Sequence, residues 1–242
     1  MKADMCAYNI ACYWKNREED LDACANRAAE FLKRMAACDP VFARVYVSSR
    51  KHESRLPVSA DSELLKPLLE DKIAEKWGSR ISFVSDHQDC DEQWTIHIRC
   101  GAAPAQAPKG WSNFCMPLLP KRGRPLETLL QPSVLSCIIR AMVQAWEPDW
   151  AVIYDDRTLD ELYERAGIPG DSRKEMFLGW MTYFGKHMGA VPKNLPAYSR
   201  LDLGGGTLLI LTPEPPQSDQ PEQARVFQEV LLGLQGVGLL PG

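Results

Sequence analysis

The sequence predicts an α+β fold, a mixed, mainly antiparallel sheet with flanking helices. Three observations lead there. Pro132 to Trp146 reads as a helix: proline suits the first helical position, and Ser133, Ser136, Arg140 and Gln144 form one narrow polar stripe on an otherwise apolar surface, so the helix is buried on several sides. It runs through Glu147-Pro148-Asp149 into Trp150-Ala-Val-Ile-Tyr154, an aromatic and β-branched run of the kind that forms a buried strand. Elsewhere strands and helices follow one another in mixed order, with turn signals between neighbouring strands, which favours α+β over a doubly wound sheet.

Taken in order, Met5 to Trp14 is an apolar, aromatic strand. Asn16 is placed to cap the next helix, and Glu18, Glu19 and Asp20 suit the positive end of its dipole. Leu21, Cys24, Ala28, Phe31, Leu32 and Met35 recur at helical spacing, and Asp39-Pro40 ends that helix. Phe42 to Ser48 alternates as a second strand. Pro57 falls in a polar linker. Pro67 opens a helix carrying Leu68, Leu69, Ile73 and Trp77, with Gly78 past its end. Arg80 to Ser85 and Glu92 to Cys100 form a hairpin around the acidic connection Asp86-His-Gln-Asp-Cys-Asp91. Ala102 to Gly110 is an Ala/Pro-rich loop, Ser112 to Leu119 a strand and Lys121-Arg-Gly-Arg124 a basic turn. After the central helix and strand, Asp155 and Asp156 offer a cap for a helix marked by Leu159, Leu162, Tyr163 and Ala166. Glu175 to Phe184 is strand-like. Gly204-Gly-Gly206 is a hairpin turn, because it leads into the strand Thr207 to Thr212 and not into the helix N-terminus a phosphate loop requires. A Pro-rich loop precedes a last helix carrying Ala224, Phe227, Val230, Leu231 and Leu234.

The chain of 242 residues is long enough for a sizeable core and is read as one domain over 1–242. A net charge of −4 disfavours a general nucleic-acid binder, which carries a basic footprint. No apolar run is long enough to span a bilayer, and the N-terminus lacks the apolar core of a signal peptide. The eight cysteines sit mostly in apolar patterns and read as free buried thiols of a cytoplasmic protein rather than a disulfide framework.

Chemistry-bearing motifs are few. His87-x2-Cys90 with His97-x2-Cys100 has zinc-like spacing, but His97 and Cys100 are three apart on a strand and so point to opposite faces. No metal and no cofactor is therefore expected. No cysteine or serine stands in a nucleophile motif, so no catalytic residue is assigned. Two acidic segments are more informative: Asp86, Asp89, Asp91 and Glu92, and the stretch holding Asp155, Asp160, Glu161 and Glu164. Both read as solvated faces or as surfaces for a basic partner.

Four further stretches carry a resemblance. Tyr13-Trp14-x-x-Arg17-x-Glu19 followed by Cys24-Ala25, then Glu147-Pro148-Asp149-Trp150-Ala151, Gly179-Trp180-x-x-Tyr183, and Gly205-Gly206-Thr207-Leu208 before a C-terminal amphipathic helix resemble immunity protein family 52 of bacteria, from about Tyr8 to Leu240. Ser54 to Leu126 matches it least. The resemblance implies a non-enzymatic antitoxin that binds a cognate secreted toxin. In that family the toxin is a restriction-endonuclease-like nuclease, often delivered by type VI secretion, and is blocked in the cytoplasm by protein–protein contact without direct nucleic-acid or membrane binding.

The motif residues Tyr13, Trp14, Arg17, Glu19, Trp150, Gly179, Trp180 and Tyr183 are taken as scaffold of the family the chain resembles: read from the residues, Arg17 and Glu19 suit structural hydrogen bonds at the strand-to-helix turn, and Trp14, Trp150 and Trp180 suit the core. The toxin-facing surface is expected at Asp86, Asp89, Asp91 and Glu92, with Asp155, Asp160, Glu161 and Glu164 as the alternative. Rival readings are a small cytosolic hydrolase or thiol enzyme using His87, His97 and a cysteine, and a secretion chaperone or scaffold.

Overall fold

A computed structural model describes residues 7–15, 17–47, 56–70, 78–87, 89–102, 113–168 and 176–241. In chain order the elements are β1 (Tyr8–Trp14), α1 (Leu21–Cys38), a 3-10 turn (Pro40–Ala43), β2 (Val45–Val47), β3 (Leu56–Val58), α2 (Ser62–Glu70), β4 (Ser79–Val84), β5 (Thr95–Cys100), β6 (Asn113–Leu118), α3 (Arg124–Leu129), α4 (Pro132–Trp146), β7 (Trp150–Asp155), α5 (Asp156–Arg165), β8 (Met181–Phe184), β9 (Ser199–Leu203), β10 (Gly206–Ile210) and α6 (Pro221–Gly236). The strands join in one sheet of order β3-β2-β4-β5-β6-β1-β7-β8-β10-β9. The α+β class is as expected. Every ladder is antiparallel, so among the described residues the sheet has no parallel pair and is not mixed.

β1 lies at the middle of the sheet, between β6 and β7, and its alternation builds both faces. Ile10, Cys12 and Trp14 join the core under α1, α2 and α4, while Ala11 joins Trp150 and Val152 in the core under α5 and α6. β7 is buried on both faces and reads as a continuous apolar run for that reason. Gly179 lets the chain cross β7 closely: a Cβ there would lie 2.5 Å from the Ile153 carbonyl oxygen.

Several boundaries differ from the sequence reading, each for a local reason. Asn16 lies outside the described residues, and α1 is capped by Asp20, whose carboxylate accepts from the Ala23 N–H at 2.8 Å. Phe42 is not in a strand. Asp39 accepts from the Val41 N–H, Pro40 starts a 3-10 turn, and Phe42 packs against Trp94. Pro57 sits in the edge strand β3, where a missing N–H costs no ladder bond. α2 begins at Ser62, after Asp61 has accepted from the Glu63 N–H. Pro67 is therefore inside that helix, and Ile73 and Trp77 fall outside the described residues, as does 103–110 of the expected loop. β8 is shorter than the strand expected from Glu175.

The cysteines also depart from expectation. Cys38 and Cys137 form a disulfide with Cα atoms 5.5 Å apart, tying the end of α1 to α4. Cys12, Cys24, Cys90, Cys100 and Cys115 are free, all but Cys90 buried. Spacing gave no sign of this pairing, because 99 residues separate the two partners.

Candidate partner-binding surfaces

The antiparallel register gives the central sheet two ends. At one end lie Val84, Thr95, Leu118, Asn9 and Tyr154, paired in turn across β4, β5, β6, β1 and β7, with Tyr8 and Asp155 one pair further out. The acidic connection projects there, but it is not bare. Asp89 meets Arg122 at 2.5 Å, Asp91 meets Lys121 and Arg122 at 3.7 Å, and Asp86 meets Arg44 at 3.6 Å. The N–H groups of Lys121 and Arg122 both donate to the Asp91 carbonyl. The acidic connection and the basic turn are therefore one structure, zipped together at the sheet end. The Asp91 N–H and then Arg122 hold the Asp89 carboxyl below its usual range. Glu92 stands within 4.0 Å of His87.

The alternative acidic face is split. Asp155 is 3% exposed, and its carboxylate caps α5 by accepting from the Thr158 N–H at 3.0 Å. It is a buried structural group and not part of a surface. Asp160 and Glu164 are exposed. Glu161 accepts from the Ser218 hydroxyl and pairs with Arg157, which together lower its pKa.

His97 and Cys100 lie on opposite faces of β5, His97 with its Nδ1 2.9 Å from the Ser82 hydroxyl and Cys100 buried against Cys24. Burial, aided by Arg80, lowers the His97 pKa. Among the described residues no group of three or more histidines, cysteines or carboxylates is placed to hold a metal ion.

Tyr13, Trp14, Arg17, Glu19, Trp150 and Tyr183 meet at the opposite end of the sheet, whereas Gly179 and Trp180 lie at the first end, where Trp180 packs on Tyr8 with ring centroids 6.2 Å apart. At the opposite end Tyr13 pairs with Trp150, and Trp150 with Phe184. Trp14 stacks on Trp146 with ring centroids 5.1 Å apart, and Trp150 stacks on Tyr13 at the same separation. Trp180 donates to the Thr212 carbonyl at 2.9 Å and Tyr183 to the Leu203 carbonyl at 3.2 Å. Arg17 donates to the Trp146 carbonyl and Arg27 to the Ala145 carbonyl, at 3.0 and 2.7 Å. These cations satisfy the last turn of α4, where free carbonyls concentrate negative potential. Glu19, 6% exposed, bridges the two guanidiniums at 3.1 and 2.6 Å.

Beyond this quartet α4 ends on Glu147, which has a left-handed backbone (φ 48°, ψ 55°). Glycine is the usual residue in that place, and a side chain there costs roughly 1 kcal/mol. The Glu147 carboxylate reaches back to Arg17 at 3.5 Å and Arg27 at 3.7 Å. Beside it opens a cleft of about 520 Å³, walled by Trp14, Arg17, Val143, Glu147, Asp149 and Tyr183. Lys15, Lys186 and His187 also line it and are exposed. Burial, with the Asp149 carboxylate, raises the Tyr183 pKa, so its hydroxyl is a neutral donor. The two-residue turn Gly204-Gly205, with φ of 56° and 82°, matches the backbone that tight hairpins need and brings Gly204 to the cleft wall.

A family model described as Immunity protein 52 matches residues 6–242. The chain belongs to the Immunity protein 52 family. No protein of curated function matches it in sequence. Among solved structures, the Pseudomonas aeruginosa T6SS protein PA0821 superposes with a TM-score of 0.56, covering 94% of this immunity-family chain and 73% of that one at 14% identity. At that identity the likeness is one of fold.

Sequence reasoning named Trp14, Arg17 and Tyr183 but did not bring them together, and it left out Lys15, Lys186 and His187. No signal was available for those three. Lys15 stands in one segment and Lys186-His187 in another, and only the strand register places them round one opening.

Proposed function

We propose that this chain is an antitoxin that binds a cognate nuclease toxin, delivered by type VI secretion, and neutralises it by protein–protein contact without turnover of its own. The observation that carries the reading is the family match over residues 6–242. The net charge of −4 supports it, since a DNA-cleaving partner presents basic surface and opposite charge speeds encounter. The compartment proposed is the cytoplasm, where such a toxin meets its DNA. No described helix is long and apolar enough to cross a membrane.

The test is co-expression. A nuclease toxin domain encoded beside this chain, produced in the bacterial cytoplasm, should stop growth, and this chain should restore it. Growth arrest that persists with the chain present as folded protein contradicts the reading. The purified chain alone should cleave neither DNA nor ester substrates. Turnover that disappears on replacing His97 or Cys100 would instead support the hydrolase alternative.

A further inference from the structure

We infer that the cleft at the C-terminal end of α4, and not the acidic end of the sheet, is the main toxin-docking site, and that it receives an acidic projection of the toxin. This inference rests on the antitoxin reading above. Three features of the cleft carry it.

The first is charge. The Arg17, Arg27, Glu19 and Glu147 side chains neutralise one another within the wall. One Asp149 oxygen accepts the Lys15 N–H at 2.9 Å. The ammonium groups of Lys15 and Lys186, and the His187 ring, have no carboxylate partner among the described residues. At the acidic end the corresponding charges are largely spent on one another. Of the two sheet ends, the cleft end is therefore the one that presents unpaired basic charge, although the chain is acidic overall.

The second is shape and rigidity. The opening of about 520 Å³ is in the range of built binding cavities, roughly 300–1,000 Å³. Its wall is fixed by the Trp14–Trp146 stack, the Tyr183 to Leu203 hydrogen bond and the Arg17 bond to α4. A partner side chain entering it meets a wall that is already ordered, which lowers the ordering cost of binding.

The third is Glu147. A left-handed non-glycine backbone is kept at the mouth, where glycine would be more stable. Strain of this kind marks positions held for something other than folding. Here it aims the carboxylate at Arg17 and Arg27 and leaves the two lysines unopposed.

The experiment measures affinity for the catalytically inactivated toxin domain from the adjacent gene, with melting of each variant followed in parallel. Lys15→Glu with Lys186→Glu should weaken binding by roughly tenfold or more, most at low salt, with unchanged melting. Lys15→Arg with Lys186→Arg should bind like wild type. Glu147→Gly, which removes a carboxylate from the mouth, should melt higher and bind at least as tightly as wild type. Reversal of Asp89, Asp91 and Glu92 to lysine should change affinity by no more than about twofold. The inference is overturned if wild type binds and the cleft reversal binds equally, or if only the acidic-end reversal weakens binding. It is also overturned if the cleft retains duplex DNA in place of the toxin. A wild-type chain that neither binds nor protects refutes the antitoxin reading itself, and the cleft inference with it.

Discussion

At the scale of single residues, the buried charges and rings divide by how they are partnered. Glu19 holds two guanidiniums that in turn satisfy the end of α4. Glu19→Ala leaves both arginines without their buried counter-ion and should cost about 3 kcal/mol, read from the urea midpoint. An unchanged midpoint would mean that water replaces the carboxylate. Trp150 is 1% exposed, and its ring N–H has no hydrogen-bond partner, so Trp150→Ala opens a cavity without breaking a polar contact. Destabilisation by ~3–5 kcal/mol is expected, and any loss of protection should track loss of folded protein. A variant that melts like wild type but fails to bind would place Trp150 in the interface.

Among the elements, those with strong periodicity were legible. α1, α4, β1 and β7 were readable because buried faces impose spacing on the sequence. α5 was readable from its cap. Asp155→Ala removes the bond to the Thr158 N–H and should cost about 1 kcal/mol, with faster amide exchange confined to the first turn of α5. Exchange that rises across the whole sheet would show that the cap supports β7 as well. The elements that escaped were short or set by tertiary contacts: β3, with Pro57 on an edge, and the 3-10 turn that carries Phe42 onto Trp94. The pairing of Asp89 and Asp91 with Lys121 and Arg122 escaped for the same reason. A charge run reads as a solvated face until its partner segment, some thirty residues away in sequence (Asp89 and Arg122 are 33 apart), is seen beside it.

For the whole molecule, the ten-stranded sheet separates an acidic, internally paired end from a cleft end lined by Trp14, Arg17 and Tyr183. Trp14, Arg17 and Tyr183 could be named from the sequence, but not their meeting round an opening, because convergence depends on strand order. The Cys38–Cys137 bridge spans a separation of 99 residues. Replacing both with serine should cost about 3–5 kcal/mol under oxidising conditions, through the unfolded chain. With dithiothreitol, wild type and variant should melt nearly alike. Because the cytoplasm keeps thiols reduced, the double-serine chain should still protect cells. Protection lost with the bridge would move the site of action to an oxidising compartment.

Neutralisation by binding is tested most directly by titrating DNA cleavage by the proposed nuclease toxin with the purified chain. Cleavage should fall linearly with added chain and end at a fixed molar ratio, at toxin concentrations well above the dissociation constant. Excess DNA should not restore cleavage once the complex has formed. Cleavage that continues unchanged beyond that ratio, with the chain folded, would contradict neutralisation by binding.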